Sequence, residues 1–301
     1  MTINLEESDA FIRFKNKIKK KSLKTQETYI AAIMQFRKAH FLDTWESMLE
    51  GTINDLEERI RHYLLEKSHT TANKAFWALR HFYSANQIKL NWDDDLKDYV
   101  PAKKAVRQYR AYSKQEIEAM VAHGKLRERA AILAMASGGL RIAGLPTMAI
   151  ENATWVDKYK VYCFKIYPGT DDEYQAFFSP QASVFIKKLI GRRQSGPIFL
   201  SKFGDDYPAD EGSLSQAIRR VAKNAGVYLP YQVQLDHGFR HYFRTALETS
   251  RIHDDFAERL MGHKKEKLKK VYSHPDPLEL MEASEFYKAF EKLTFDIKEA
   301  V

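Results

Sequence analysis

Near its C-terminal end the chain gathers residues able to grip and attack a phosphate ester: Asp236-His237-Gly238-Phe239-Arg240-His241, then Leu260-Met261-Gly262-His263, then Tyr272. The set holds no cysteine, and no carboxylate stands beside the histidines in a metal-ligand pattern. What remains is charge chemistry on a phosphodiester. Arginine binds non-bridging phosphate oxygens through a planar fork of N–H groups, where lysine supplies charge without the fork. A second arginine, Arg141, lies 99 residues before Arg240, directly after Gly138-Gly139-Leu140 and an apolar run over 127–137. Two such forks can stabilise the extra charge of a pentacoordinate transition state. A phenol, with a reference pKa of about 10, needs nearby positive charge or a base before it attacks at neutral pH. Between His263 and Tyr272 lie Lys264, Lys265, Lys267, Lys269 and Lys270, opposed only by Glu266. Such a run draws in backbone phosphate and lowers the pKa of a neighbouring phenol.

Composition sets the bounds. A chain of 301 residues is long enough for two domains, each with its own core. A hydrophobic fraction of 44% with 29% charged residues describes an ordinary globular protein, and a net charge of +8 favours a polyanionic partner. The single Cys163 excludes an internal disulfide framework and a cysteine-built zinc site, and fits a reducing compartment. Residues 1–10 are acidic and polar, unlike a signal peptide, and the longest apolar stretch, 130–140, is too short to span a bilayer. The expectation is a soluble cytoplasmic protein that is not associated with a membrane.

The elements that must position these residues are mostly helical. Over 12–24, Arg13, Lys15, Lys17, Lys19, Lys20, Lys21 and Lys24 occur without an acid, while Phe11, Phe14 and Ile18 recur at helical spacing. This predicts an amphipathic helix with a basic outer face. A second helix opens near Ser22 with Tyr29, Ile33 and Phe36 on one stripe. Thr52 and Asp55 form a capping-box pattern for a third, with Leu56, Ile60, Tyr63 and Leu64 inward, and Thr70 or Thr71 caps a fourth. Together they predict an all-α domain over 1–98. Residues 99–112 read as a basic linker, since Lys103, Lys104, Arg107 and Arg110 follow Pro101 without an acid and can track a phosphate backbone. The second domain, 113–301, opens on a capping box at Ser113 and Glu116. It continues with the apolar helix that ends at Gly138-Gly139, and a β-hairpin over 159–167 and 174–178 around a turn at 168–172. Helices follow over 182–190 and 213–225. After Pro275 and Pro277 a last helix is expected over 278–295, with Leu280, Phe286, Phe290 and Leu293 apolar. The fold class is therefore mainly α, in two domains, with a small β-hairpin or sheet.

Taken in order, Gly139-Leu140-Arg141-Ile142, a β-hairpin, His237-x-x-Arg240-His241, Leu260-x-Gly262-His263 and Tyr272 resemble the tyrosine recombinase (phage-type integrase) family, which includes the Xer-like site-specific recombinases. The resemblance covers about 113–275 and extends more weakly to the N-terminal helices, which look like that family's core-binding domain. It implies a recombinase or integrase that cleaves and rejoins double-stranded DNA without metal, cofactor or ATP. Tyr272 attacks the scissile phosphate to give a 3′-phosphotyrosyl enzyme and a 5′-hydroxyl, Arg141 and Arg240 bind the phosphate, His237 accepts or relays the tyrosine proton, and His263 hydrogen-bonds a phosphate oxygen. Contacts to DNA are expected from Lys103, Lys104, Arg107, Arg110, Lys264, Lys265 and Lys267. Self-assembly as a tetramer on paired sites is expected through the C-terminal tail. In the family a lysine at the hairpin tip protonates the leaving oxygen. Here the tip reads Thr170-Asp171-Asp172-Glu173-Tyr174, and Lys165 is the nearest substitute. Gly144 stands where relatives often carry an acid. Three other readings stay open: DNA relaxation of the type IB topoisomerase kind, a non-catalytic DNA-binding relative, and a metal-dependent nuclease using His237, His241 and His263.

Overall fold

Each helix of the N-terminal unit begins where a side-chain oxygen satisfies a backbone N–H that the first turn leaves without a partner. The computed structural model describes residues 8–103, 109–201, 204–263 and 276–297. The chain divides into two units, Met1–Arg107 and Gln108–Val301. In the first, α1 (Asp9–Ile18), α2 (Leu23–Ala39), α3 (Ile53–Leu65) and α4 (His69–Ala85) are capped by Ser8, Ser22, Thr52 and Ser68. Thr52 and Asp55 close a reciprocal capping box. The fourth cap is Ser68, not Thr70 or Thr71, and it accepts from the Thr71 N–H. That start sets Ala72, Ala75, Phe76, Leu79 and Phe82 on one buried stripe. α4 packs against α1, α2 and α3, and closes over Phe14, Ile18, Ile33, Phe36 and Ile60. The buried Tyr83 hydroxyl donates to the Met48 carbonyl at 2.9 Å, so this phenol is not left unsatisfied in the core. Lys17, Lys19, Lys20, Lys21 and Lys24 stay exposed.

The second unit is built around a helix that is apolar on every side, the pattern of a fully buried element. α5 (Lys114–His123) opens on the Ser113–Glu116 capping box. α6 (Leu126–Gly138) follows, and every residue over 130–138 is buried. It packs on α5, α7 (Pro180–Ile190), α8 (Glu211–Asn224) and α9 (His237–Thr249). Against this core lies an antiparallel sheet ordered β1 (Ala153–Val156), β2 (Val161–Ile166), β3 (Tyr174–Phe177). The expected hairpin thus has a third strand. Thr154-Trp155-Val156 is a short run of β-formers, and the chain reverses after it at Lys160, whose φ is +54°. A separate pair, β4 (Leu200–Ser201) and β5 (Gly204–Pro208), has no counterpart in the sequence expectation.

Alternation along the strands divides the sheet into two apolar faces. Phe164, Ile166 and Ala176 join the core around α6, while Val161, Cys163 and Phe177 join a second cluster with Phe243 and Leu247 of α9. The tail completes that second cluster. After α10 (Asp254–Leu260), α11 (Pro277–Ser284) stops at Glu285, which takes φ +52°, and only one 3-10 turn follows, Phe286–Ala289. The single helix expected over 278–295 is therefore broken. Leu280, Met281, Phe286, Ala289 and Leu293 are buried in their own unit. Phe295 joins the α6 core, and its N–H donates to Gln181 Oε1 at 2.9 Å. Side chains expected to dock on a neighbouring copy are thus packed within their own unit. Among the described residues no helix is long and apolar enough to cross a membrane.

The end of α6 is set by one backbone position. Gly139 has φ +63°, and a Cβ there would stand 2.3 Å from the Phe243 ring. Gly169 in the hairpin turn has φ +73° but open space around it. Gly169→Ala is expected to cost only the left-handed backbone penalty, about 1–2 kcal/mol. Gly139→Ala adds a steric clash in a packed core, about 1–3 kcal/mol more. Urea unfolding of the two variants checks this, and equal costs would contradict the packing.

Candidate active site

The α6–α9 contact brings Gly139 against the fourth residue of α9. That residue, Arg240, is 5% exposed. Its Nη1 donates to the Gly139 carbonyl and its Nη2 to the Met261 carbonyl just after α10, so one guanidinium ties three helices together. No carboxylate pairs with it among the described residues. Burial, and next the neighbouring Arg141 guanidinium, push its pKa below the usual arginine value. One turn later on the same helix, Arg244 has the opposite surroundings, with Glu248 at 2.6 Å, Glu258 at 2.8 Å and Asp254 at 2.9 Å. Of two arginines on α9, one is neutralised by three acids and the other faces a second cation.

Arg141 caps the 3-10 turn Ile142–Thr147 and is exposed, with no ion pair among the described residues. Its carbonyl accepts from the Gly144 N–H at 2.8 Å. Gly144 lets the hairpin approach this turn: a Cβ there would lie 3.1 Å from Ile166 and 3.6 Å from the Tyr167 hydroxyl.

His237 is the first residue of α9 and is exposed. Desolvation, then Arg240, His241 and Arg141, lower its pKa below 6.5, with Asp236 acting the other way. The ring is therefore neutral at pH 7 and able to accept a proton. Asp236, whose pKa burial raises, accepts from the Ser215 hydroxyl at 3.3 Å. His241 is exposed one turn further along α9.

His263 follows α10 directly. Its Nδ1 lies 2.7 Å from Glu258 Oε2, and its backbone N–H donates to the Glu258 carbonyl at 2.9 Å. The other Glu258 oxygen accepts from Arg244 Nη1. Held at Nδ1 by an anchored carboxylate, the ring has a fixed plane and leaves Nε2 for a ligand.

Arg141, Arg240 and His237 thus share one electrostatic neighbourhood, and His263 reaches it through the turn whose Met261 carbonyl holds Arg240. Tyr272, Lys104, Arg107, Lys264, Lys265 and Lys267 lie outside the described residues. Lys103 is exposed, whereas Arg110, expected on DNA, forks onto Glu116 at 2.7 and 2.8 Å, which offsets its charge. Lys165 is not brought to the arginines. It alternates with Ile166 along β2, and lies with Cys163, Gln175 and Asp276 at the opposite face of the sheet. On the arginine side the hairpin presents Tyr174, opposite Ile166 in the strand register, together with Tyr167. Neither tyrosine, nor Glu258 and Arg244, stood out in the sequence. Period-two alternation from Ile166 could have flagged Tyr174, but the Glu258–His263 pairing depends on how the turn after α10 folds back. Among the described residues no group of three or more His, Cys, Asp or Glu is placed to hold a metal ion.

Residues 110–279 match the model of the phage integrase family. Solved structures share the fold. One is a lambda integrase dimer bound to a COC′ core site, with TM-score 0.62 and 19% identity over 88% of this chain and 95% of that one. Another is the Tn1549 transposon integrase in complex with transposon right end DNA, with TM-score 0.57 and 17% identity over 91% and 97%. A third is the XerH site-specific recombinase bound to its difH substrate, with TM-score 0.54 and 17% identity over 95% and 91%. At these identities the likeness is one of fold. A comparison with curated proteins finds no match. With more than half its length in the family model, the chain belongs to the phage integrase family, the tyrosine recombinases.

Proposed function

We propose that the protein is a site-specific DNA recombinase or integrase that cleaves and rejoins duplex DNA through a 3′-phosphotyrosyl intermediate on Tyr272, with neither metal nor ATP. The observation that carries this is the buried, unpaired charge of Arg240 beside Arg141. An uncompensated buried cation is costly, and a phosphodiester seated between the two forks removes that cost while giving each a bidentate partner. The lambda integrase, Tn1549 integrase and XerH structures that share the fold are all bound to DNA, which supports the same substrate class here.

In this reading the Tyr272 oxygen forms a bond to the scissile phosphorus as the bond to the 5′ oxygen breaks. The phenol proton passes to neutral His237, and the leaving oxygen takes up a proton to become the 5′-hydroxyl. Arg141 and Arg240 hold the non-bridging oxygens, and His263 Nε2 contacts one of them. Reversal with a different 5′-hydroxyl joins the new strand, because the covalent link conserves the phosphodiester. Lys103, Lys104, Arg107, Lys264, Lys265 and Lys267 follow the DNA backbone. Exchange between two duplexes calls for several copies on paired sites, as in the lambda integrase tetramer on a Holliday junction. If the tail takes part, Phe286 and Leu293 must leave the core of their own unit.

On a nicked suicide duplex carrying a selected site, wild type forms a covalent adduct in the presence of chelator. Tyr272→Phe forms none, and Arg240→Ala slows cleavage by about a thousandfold, the scale of one lost transition-state donor group. An adduct with Tyr272→Phe would overturn the nucleophile, and no wild-type adduct on a bound site would favour a non-catalytic DNA-binding protein. Relaxation of supercoils without exchange between duplexes would favour the topoisomerase-like reading.

The lowered His237 pKa places the acid limb of cleavage below pH 6.5, since the neutral ring is the acceptor and protonation removes it. A pH–rate profile of wild type and His237→Gln tests this. The variant should lack that limb, and an unchanged limb would assign it elsewhere. Glu258→Gln breaks the charged anchor of His263, and is expected to slow cleavage roughly tenfold or more through misplacement while DNA affinity holds. Single-turnover rates beside binding isotherms read the split, and an unchanged rate would remove Glu258 from the site.

A further inference from the structure

Tyr174 lies beside Arg240 and against the turn that carries His263. Its ring packs on Gly262, which lies between Met261, the carbonyl partner of Arg240, and His263. A Cβ on Gly262 would stand 2.6 Å from that ring, and Gly262 itself has φ +66°, so the turn is shaped around the tyrosine. The hydroxyl lies within loose hydrogen-bonding reach of the Arg240 guanidinium, yet it is sealed from solvent and closes no hydrogen bond of good geometry. Burial holds the phenol protonated, with its pKa pushed up to about 12.

A buried hydroxyl without a partner is uncommon in a native protein and calls for an explanation. Nη1 and Nη2 of Arg240 are each anchored on a carbonyl, and both anchors lie on backbone. Nothing from the hairpin fixes the fork except the phenol oxygen, which can accept from a guanidinium N–H. The unpartnered groups therefore fit a contact that closes when the site is loaded. An anion between Arg141 and Arg240 would engage the guanidinium beside which the Tyr174 oxygen lies as an acceptor.

We propose that Tyr174 is a positioning residue of the phosphate clamp: its hydroxyl locks the Arg240 fork when a phosphodiester binds, and its ring wedges the Met261-Gly262-His263 turn that aims His263. This rests on the reading of Arg240 and His263 as phosphate ligands. The hairpin thereby acts on the reaction through an aromatic side chain at the first residue of β3, on the face away from Lys165.

The test is Tyr174→Phe, which keeps the ring against Gly262 and removes only the oxygen. Single-turnover cleavage of the nicked suicide duplex is measured beside DNA affinity and the thermal midpoint of the full chain. The expected result is a roughly 10- to 100-fold slower cleavage, the scale of a small misplacement of a catalytic group, with affinity within about threefold and an unchanged midpoint. A second readout separates positioning from packing: the scissile phosphate is replaced by each phosphorothioate diastereomer. Wild type should discriminate between the two, and Tyr174→Phe should discriminate less, because an unlocked fork no longer distinguishes the two oxygens. Cleavage at the wild-type rate, or affinity and rate falling in equal proportion with full discrimination retained, overturns the assignment while the recombinase reading stands. A wild type that forms no adduct on its bound site overturns both.

Discussion

A guanidinium buried against two backbone carbonyls, with a second guanidinium as its charged neighbour, is the constraint on which the catalytic unit turns. Taking a cation out of water costs several kcal/mol unless it is paired. The carbonyls of Gly139 and Met261 recover part of that cost by hydrogen bonding but bring no opposite charge. The remaining imbalance has to be met from outside the described residues, and a phosphodiester is suited to it. Much of the unit can be understood as the scaffold that keeps Arg240 in this position. α6 is buried throughout 130–138, Gly139 ends it in a left-handed turn that points a carbonyl at α9, and α10 delivers Met261 from the other side.

The placement of acids sharpens the point. Three carboxylates surround Arg244 and, among the described residues, none pairs with Arg240, although the two are one turn apart on α9. Glu258 serves both Arg244 and His263, so the neutralised arginine also orients a ring next to the unneutralised one. His237 responds to the same field: a neutral imidazole at the N-terminus of α9, beside two arginines, suits a proton acceptor better than a cation. Over longer range the net charge of +8 favours a polyanion near the chain, while the buried Arg240 beside the exposed Arg141 concentrates positive charge locally.

The fold class was legible in the sequence because it follows from local rules, and the arginines and histidines proposed for the site were picked out there by motif order. Caps at Ser22, Thr52 and Ser113, the apolar run of α6 and the double glycine behind it read directly. What escaped depended on contacts distant in the chain. β1 is four residues long and stable only beside β2, and the tail helix breaks at Glu285 where Phe286 turns into a core built by Phe177 and Phe243. Lys165 was chosen by its closeness in sequence to the hairpin tip. One-residue alternation along β2 turns it away from Arg240, and Tyr174, two residues of the hairpin register from Ala176, holds the arginine side instead. The pairing of Glu258 with His263 needed the turn after α10, which no periodicity predicts.

In the proposed reading, Arg240 holds a positive charge that an incoming phosphate neutralises. The most direct measurement is the urea unfolding midpoint of the full chain with inorganic phosphate, against chloride at matched ionic strength, for wild type and Arg240→Ala. Ligand binding to the native state alone raises stability with concentration. A phosphate clamp predicts a rise for wild type that is largely absent in Arg240→Ala. An equal rise in both, or none in wild type at concentrations that saturate, would contradict it.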